Sequence, residues 1–194
     1  MKAFCDFINN CTEAGSVLEF GTGGGGSTKK IAEGISKDRL IYGFDGFVGL
    51  PETKKVIPKG TRWQKGSYCY NENETRKLLS SYKNVIITKV MTFDLKSPAD
   101  YGINSIVGIN IDVDLYEGTL DGLRFADKCD WKKIVIRFDD WGYYPGLQIA
   151  KEIDEHEKAA FYDWIKETGY EYLRDYVYEQ QQEGKQSVIY VTRK

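Results

Sequence analysis

The apolar run Val17–Leu18–Glu19–Phe20 breaks abruptly into Gly21–Thr22–Gly23–Gly24–Gly25–Gly26. No other stretch limits the fold of this chain so tightly. Glycine carries no Cβ, so its backbone N–H groups can approach a ligand closely and turn where other residues cannot. Ser27–Thr28–Lys29–Lys30–Ile31–Ala32 then reads as the opening of a helix, with Ser27 as its N-cap. The next apolar run, Leu40–Ile41–Tyr42–Gly43–Phe44, ends in Asp45, where a carboxylate can accept hydrogen bonds from both hydroxyls of a ribose. Strand, glycine turn and helix together predict a cradle for an adenosine-bearing cofactor.

With 194 residues the chain is long enough for one domain, a sheet with helices on both sides. Its 27 basic and 29 acidic residues leave a net charge of −2, which argues against nucleic-acid or anionic-membrane partners. Four cysteines (Cys5, Cys11, Cys69, Cys129) form no C-x-x-C pair, and His156 is the single histidine. A Cys/His zinc site is therefore disfavoured, and free thiols in a reducing cytosol are expected. The chain shows no basic-then-apolar leader and no membrane-length apolar run, so the expected location is cytoplasmic.

Periodicity predicts helices over 1–10, 27–35, 72–82, 117–127 and 147–167, and strands over 16–20, 39–44, 84–90, 105–113 and 133–138. Two last strands, 170–178 and 187–192, flank a polar Gln-rich turn and suggest an antiparallel hairpin. The fold expected is an α/β, doubly wound, mostly parallel seven-stranded sheet (Rossmann-like) with that hairpin at its C-terminal end. Residues 46–70 lack periodicity, and a loop of that length suggests a lid or an ordered surface excursion. His156 is read as a solvated surface residue.

A second constellation combines Ile111–Asp112–Val113–Asp114–Leu115–Tyr116 with Phe138–Asp139–Asp140–Trp141. Each follows a buried strand, at the sheet edge where α/β ligands bind. Extended backbone would put Asp112 and Asp114 on one side. If the two strands are neighbours, up to four carboxylates converge, and they must either take up protons or hold a cation. With no His or Cys at hand, oxygen ligands favour Mg²⁺ or a similar ion. The plainer alternative is that these aspartates cap the helices that follow. Phe47, Trp63, Tyr68, Trp141, Tyr143 and Tyr144 lie near this site in sequence, either as walls for a sugar or as packing.

Gly21, Gly23 and Gly26 satisfy G-x-G-x-x-G, and Asp45 lies 22 positions after Gly23, so a nicotinamide cofactor is one reading. Glu19, two residues before the first glycine, shifts the balance: Glu-x-Gly-x-Gly-x-Gly resembles motif one of the class I methyltransferases, which bind S-adenosylmethionine (SAM). The alternative reading of Glu19 is a structural cap on the turn.

From about Val17 to Ala150 the sequence is similar to the macrocin O-methyltransferase family, which methylates sugar hydroxyls. The resemblance rests on residues 17–28, on Tyr42–Gly43–Phe44–Asp45–Gly46–Phe47–Val48–Gly49–Leu50–Pro51–Glu52, and on the two aspartate motifs. It implies that Glu19, Gly21, Gly23, Asp45, Gly46 and Met91 hold SAM, that Asp112, Asp139 and Asp140 ligate Mg²⁺, and that Asp114 is the general base. The acceptor implied is a small hydroxylated molecule, a sugar or glycosylated metabolite.

The sequence departs from the family pattern in several places. Gly46 stands for a serine, Arg137 for an apolar strand residue and Trp141 for a tyrosine, and no glycine follows strand three around Met91. Leu115 occupies the place of the lysine base of catechol methyltransferases. Two alternatives stand beside the methyltransferase: an NAD(P)-dependent oxidoreductase, which lacks a Tyr-x-x-x-Lys or histidine arrangement here, and a degenerate cofactor-binding module. A homodimer is left open.

Overall fold

The computed structural model describes residues 1–142 and 150–193. Seven strands, β1 (Ser16–Phe20), β2 (Ile41–Asp45), β3 (Val85–Lys89), β4 (Ile106–Ile111), β5 (Lys133–Phe138), β6 (Glu171–Arg174) and β7 (Ser187–Thr192), form one sheet in the order β3-β2-β1-β4-β5-β7-β6. The first five run parallel, and β7 inserts antiparallel between β5 and β6. This is the doubly wound sheet expected, with its antiparallel end. Apolar residues alternate along each strand and build two cores. One face carries Leu18, Phe20, Ile109, Ile111, Ile136 and Phe138 beneath α4 (Tyr116–Asp127) and α5 (Glu157–Thr168). The other carries Val17, Ile41, Val107, Val135 and Val188 beneath α1 (Lys2–Asn10) and α2 (Gly26–Gly34).

On that second face one row is polar. Glu19 on β1 stands in register with Asn110 on β4, and Asn110 with Arg137 on β5. All three are buried. The row lies near the carboxyl ends of the parallel strands and matters below.

Three local expectations change. The helix after the glycine turn starts at Gly26, and its N-cap is Gly25 at φ 82°, so Ser27 sits inside the first turn. A left-handed residue can end the turn one step earlier than a serine cap would. Asn71 does cap α3 (Glu72–Leu79), accepting from the N–H groups of Asn73 and Glu74. The long helix over 147–167 is instead a 3₁₀ segment, Lys151–Glu155, followed by α5; His156 between them has φ −104° and ψ −110° and breaks the helical path. Residues 147–149 of that expectation lie outside the described residues. Finally, the hairpin joining the last strands is not a simple turn: Asp175 accepts from the Tyr178 N–H and starts a short helix, α6 (Tyr176–Gln181). Local side-chain capping by Asp outcompetes strand continuation there.

Candidate functional site

β1 ends at Phe20 and the chain turns on Gly21, whose φ is 88°. A Cβ at Gly21 would lie 1.8 Å from the Asp112 carbonyl oxygen, so glycine is required twice over, by dihedral and by space. The turn thus rests directly on the backbone that leads into the acidic motif. Gly23 (φ 51°) donates its N–H to Asp45 Oδ2 at 2.7 Å, and the Phe47 N–H reaches Asp45 Oδ1 at 2.6 Å. Asp45 is fixed by two backbone donors while lining the cleft. Burial raises its pKa, and the two N–H groups pull it back.

Glu19 sits elsewhere. It is fully buried and does not line the cleft. Its carboxyl accepts from the Thr28 hydroxyl on α2 and from Asn110 Nδ2 at 2.9 Å. It pins α2 to the sheet from beneath the turn. Burial pushes its pKa up to about 7, against the hydrogen bonds that favour the anion. Gly46 and Met91 do line the cleft, and they fit each other: a Cβ on Gly46 would lie 2.1 Å from Met91 Sδ. The glycine that replaces a serine is the space Met91 fills. Tyr70, absent from the sequence expectations, packs its ring over Gly23 and Gly24, within 3.1 and 3.3 Å of where Cβ atoms would be. It is distant from the turn in sequence, so no local signal marks it.

At the ends of β4 and β5 the aspartates do converge. One carboxylate oxygen each from Asp112, Asp139 and Asp140 lies within 4.8 Å of the others. Asp112 and Asp114 are not brought together by extended alternation: Asp114 has φ 59°, and the left-handed turn swings its carboxyl into a hydrogen bond with Asp140. Burial, then the charges of the neighbouring carboxylates, raise Asp112 and Asp114 well above the usual range and Asp140 to about 6. Behind them stands Glu157, which the sequence reading missed because nothing local distinguishes it on α5. It is wholly buried; Oε2 accepts the Asp140 N–H at 3.0 Å, and Oε1 has no partner among the described residues. Burial, then the charge of Asp140, raise its pKa well above the usual carboxylate range.

Arg137 resolves into a specific partner. It is 5% exposed, and Nη2 donates to Asp139 Oδ1 at 2.6 Å while Nη1 donates to Asn110 Oδ1 at 2.8 Å. Gln186 Nε2 donates to the same Asp139 oxygen at 2.5 Å.

Among the aromatics, Trp63 and Tyr68 line the cleft, with Arg62 over the Tyr68 ring at 5.3 Å. Phe47 and Trp141 do not line it; Trp141 is core, packed against Phe138 and Phe161. Tyr143 and Tyr144 lie outside the described residues. His156 is not a surface residue. It is fully buried, accepts the Tyr116 N–H at Nδ1 (3.4 Å) and bonds the Val56 carbonyl through Nε2 (3.0 Å). Burial lowers its pKa, in keeping with a neutral ring. Its structural task is to anchor the 46–70 segment. That segment is also tied by Thr53 and Lys54 to Glu117, by the Ala150 N–H to the Lys59 carbonyl, and by paired backbone bonds between Leu50 and residues 66–67.

The glycine turn, Asp45, Gly46, Met91, the four aspartates and Arg137 open into one cleft of about 1000 Å³. Glycine N–H groups and Asp45 occupy one end and the aspartates the other. No helix among the described residues is long and apolar enough to cross a membrane.

No family model matches the chain, and no curated protein matches its sequence. Solved structures do resemble it. The O-methyltransferase NovP superposes with a TM-score of 0.70 at 18% identity, over 99% of this chain and 77% of that one. The calicheamicin methyltransferase CalS11 gives 0.69 at 16% identity, over 98% and 76%. A putative methyltransferase from Streptococcus mutans, in complex with SAH, gives 0.55 at 15% identity, over 98% and 95%. At these identities the likeness is one of fold: the chain has the α/β architecture of SAM-dependent methyltransferases.

Proposed function

We propose that the chain is a SAM-dependent, divalent-cation-assisted O-methyltransferase, acting on a hydroxyl of a small molecule, with sugars and glycosylated metabolites as the acceptor class. The observation that carries this reading is the shared cleft: the glycine turn with Asp45 and the converging Asp112, Asp114, Asp139 and Asp140 face the same space, and Gly21 touches the Asp112 backbone. The likeness in fold to the O-methyltransferase NovP and to the calicheamicin methyltransferase CalS11 supports it. The partner required is a small hydroxylated molecule; at net charge −2 neither nucleic acid nor a membrane surface is invoked.

Gly21, Gly23, Asp45, Gly46 and Met91 would hold the cofactor, with Glu19 bracing the turn from below. The acidic residues fit a hard divalent cation. They are oxygen donors only, three of them meet within 4.8 Å, and their pKa values are raised by burial and mutual repulsion that a cation would relieve. Asp112, Asp139 and Asp140 would be its ligands. When bound, the cofactor supplies a sulfonium methyl and the cation makes the acceptor hydroxyl more acidic. Asp114 then takes the hydroxyl proton. Asp45 and the turn fix the donor, while Tyr68 and Trp63 confine the acceptor, so the chain's main contribution is alignment.

The test is calorimetric titration with SAM and with NAD, with and without Mg²⁺, followed by transfer of labelled methyl groups to a panel of glycosides. Micromolar SAM binding with Mg²⁺-dependent methylation that Asp114→Asn abolishes is expected. Binding of NAD in preference to SAM would replace this reading with the oxidoreductase one.

A further inference from the structure

Arg137 places a permanent positive charge inside the acidic cluster. A guanidinium keeps its proton in any protein environment. This one cannot swing aside, because it is locked along the polar row that crosses the sheet. Nη1 is held by Asn110 Oδ1, Asn110 Nδ2 is held by Glu19, and Glu19 is held by Thr28 on α2. Its other end holds Asp139 Oδ1, which also receives Gln186 Nε2. With two donors that oxygen is saturated, and Oδ2 is the Asp139 oxygen with no partner among the described residues. Arg137 also lines the cleft itself.

The geometry points to Arg137 as a built-in competitor of the divalent cation: a fixed internal counter-charge that occupies one oxygen of Asp139, presents the other, and keeps the cation weakly held and exchangeable. This rests on the cation reading above. Three carboxylates and one guanidinium leave the triad with a net charge near −2, where the aspartates alone would give −3. The Arg137 side chain is more buried than that of Asp139, 6% against 23% exposed, so solvent screens its repulsion little. Removing the charge therefore matters more than the orientation it imposes on Asp139, whose hold passes to Gln186.

Mn²⁺ serves as the probe, read by its electron-spin resonance signal in titrations of the cofactor-free protein. Arg137→Met is expected to bind Mn²⁺ about tenfold or more tightly than wild type. Arg137→Gln, which keeps hydrogen bonds for Asn110 and Asp139 and so protects the fold, should tighten binding in the same direction. Arg137→Lys, which keeps the charge, should stay within about threefold of wild type. Thermal melts establish that each variant is folded. Equal or weaker binding by folded Arg137→Gln would overturn the role given to Arg137 and leave the cation site standing. No Mn²⁺ binding by wild type and the neutral variants alike would overturn the cation site, and this inference with it.

Discussion

The two ends of the cleft are built on opposite principles. At the glycine turn every charged group is met by the protein: Asp45 has two backbone donors, and Glu19 has Thr28 and Asn110. At the β4–β5 edge the carboxylates face one another, and one oxygen of Glu157 has no partner among the described residues. The first end is complete before a ligand arrives. The second holds repulsion that Arg137 relieves only in part and that protons or a cation would neutralise further. Preorganisation suits the recognition of a nucleoside, while an electrostatically frustrated edge suits the capture of a cation and the handling of a proton.

The strongest way to break this contrast is to disrupt the contact between the two ends. Gly21→Ala forces a Cβ into the Asp112 carbonyl at a left-handed position, and it should cost at least about 3 kcal/mol of stability and abolish SAM binding, as read by denaturant unfolding and calorimetry. A melt close to wild type would mean that the turn relaxes and the ends are independent.

Acid removal should act in opposite senses at the two ends. Asp140→Asn relieves repulsion, so the metal-free protein should gain about 1 kcal/mol of stability and lose its stabilisation by Mg²⁺. Asp45→Asn leaves a backbone N–H facing an amide and should lose about 1 kcal/mol in the same assay.

The pH dependence sharpens the comparison further. Glu19 titrates at about 7 in the folded chain and near 4.3 when unfolded, so in between the native state holds a proton that the unfolded state releases. Its contribution is present in full below the unfolded value and is lost as pH rises through about 7. Asp140, at about 6, acts in the same direction. The metal-free melting temperature should therefore fall from about pH 5 to about pH 8. Saturating Mg²⁺ should remove the cluster's share, and Glu19→Gln the remainder. A melting temperature that rises over this range would contradict both assignments.

The smallest effect expected is at Gly46. Gly46→Ser meets the Met91 sulfur, a flexible obstacle, and should cost about 1 kcal/mol, recovered by Met91→Ala.

Much of this was legible because it is local. The glycine turn, Asp45 and the strand-end aspartates each announce themselves within a few residues, and strand alternation with helices fixes the topology. What escaped was what the fold brings from afar. Tyr70 reaches Gly23 and Gly24 across the turn, Glu157 reaches Asp140 from α5, and strand register ties Arg137 to Asn110. His156 looked solvated because its neighbours in sequence are charged, yet it packs against Trp63 and Val56 from the 46–70 segment. Asp114 was placed by an extended-chain argument, whereas a positive φ does the work. Sequence periodicity carries no information about such single-residue dihedrals.

One topological detail widens what this scaffold can evolve. In a wholly parallel sheet the residues preceding a strand lie at the edge remote from the ligand. Because β7 runs backwards, with Ser187 opposite Phe138, its approach delivers Gln182, Lys185 and Gln186 to the ligand side. This stretch lies outside the glycine turn and the two aspartate motifs, so on the proposed reading acceptor preference can drift there while the glycine-turn strands stay unchanged.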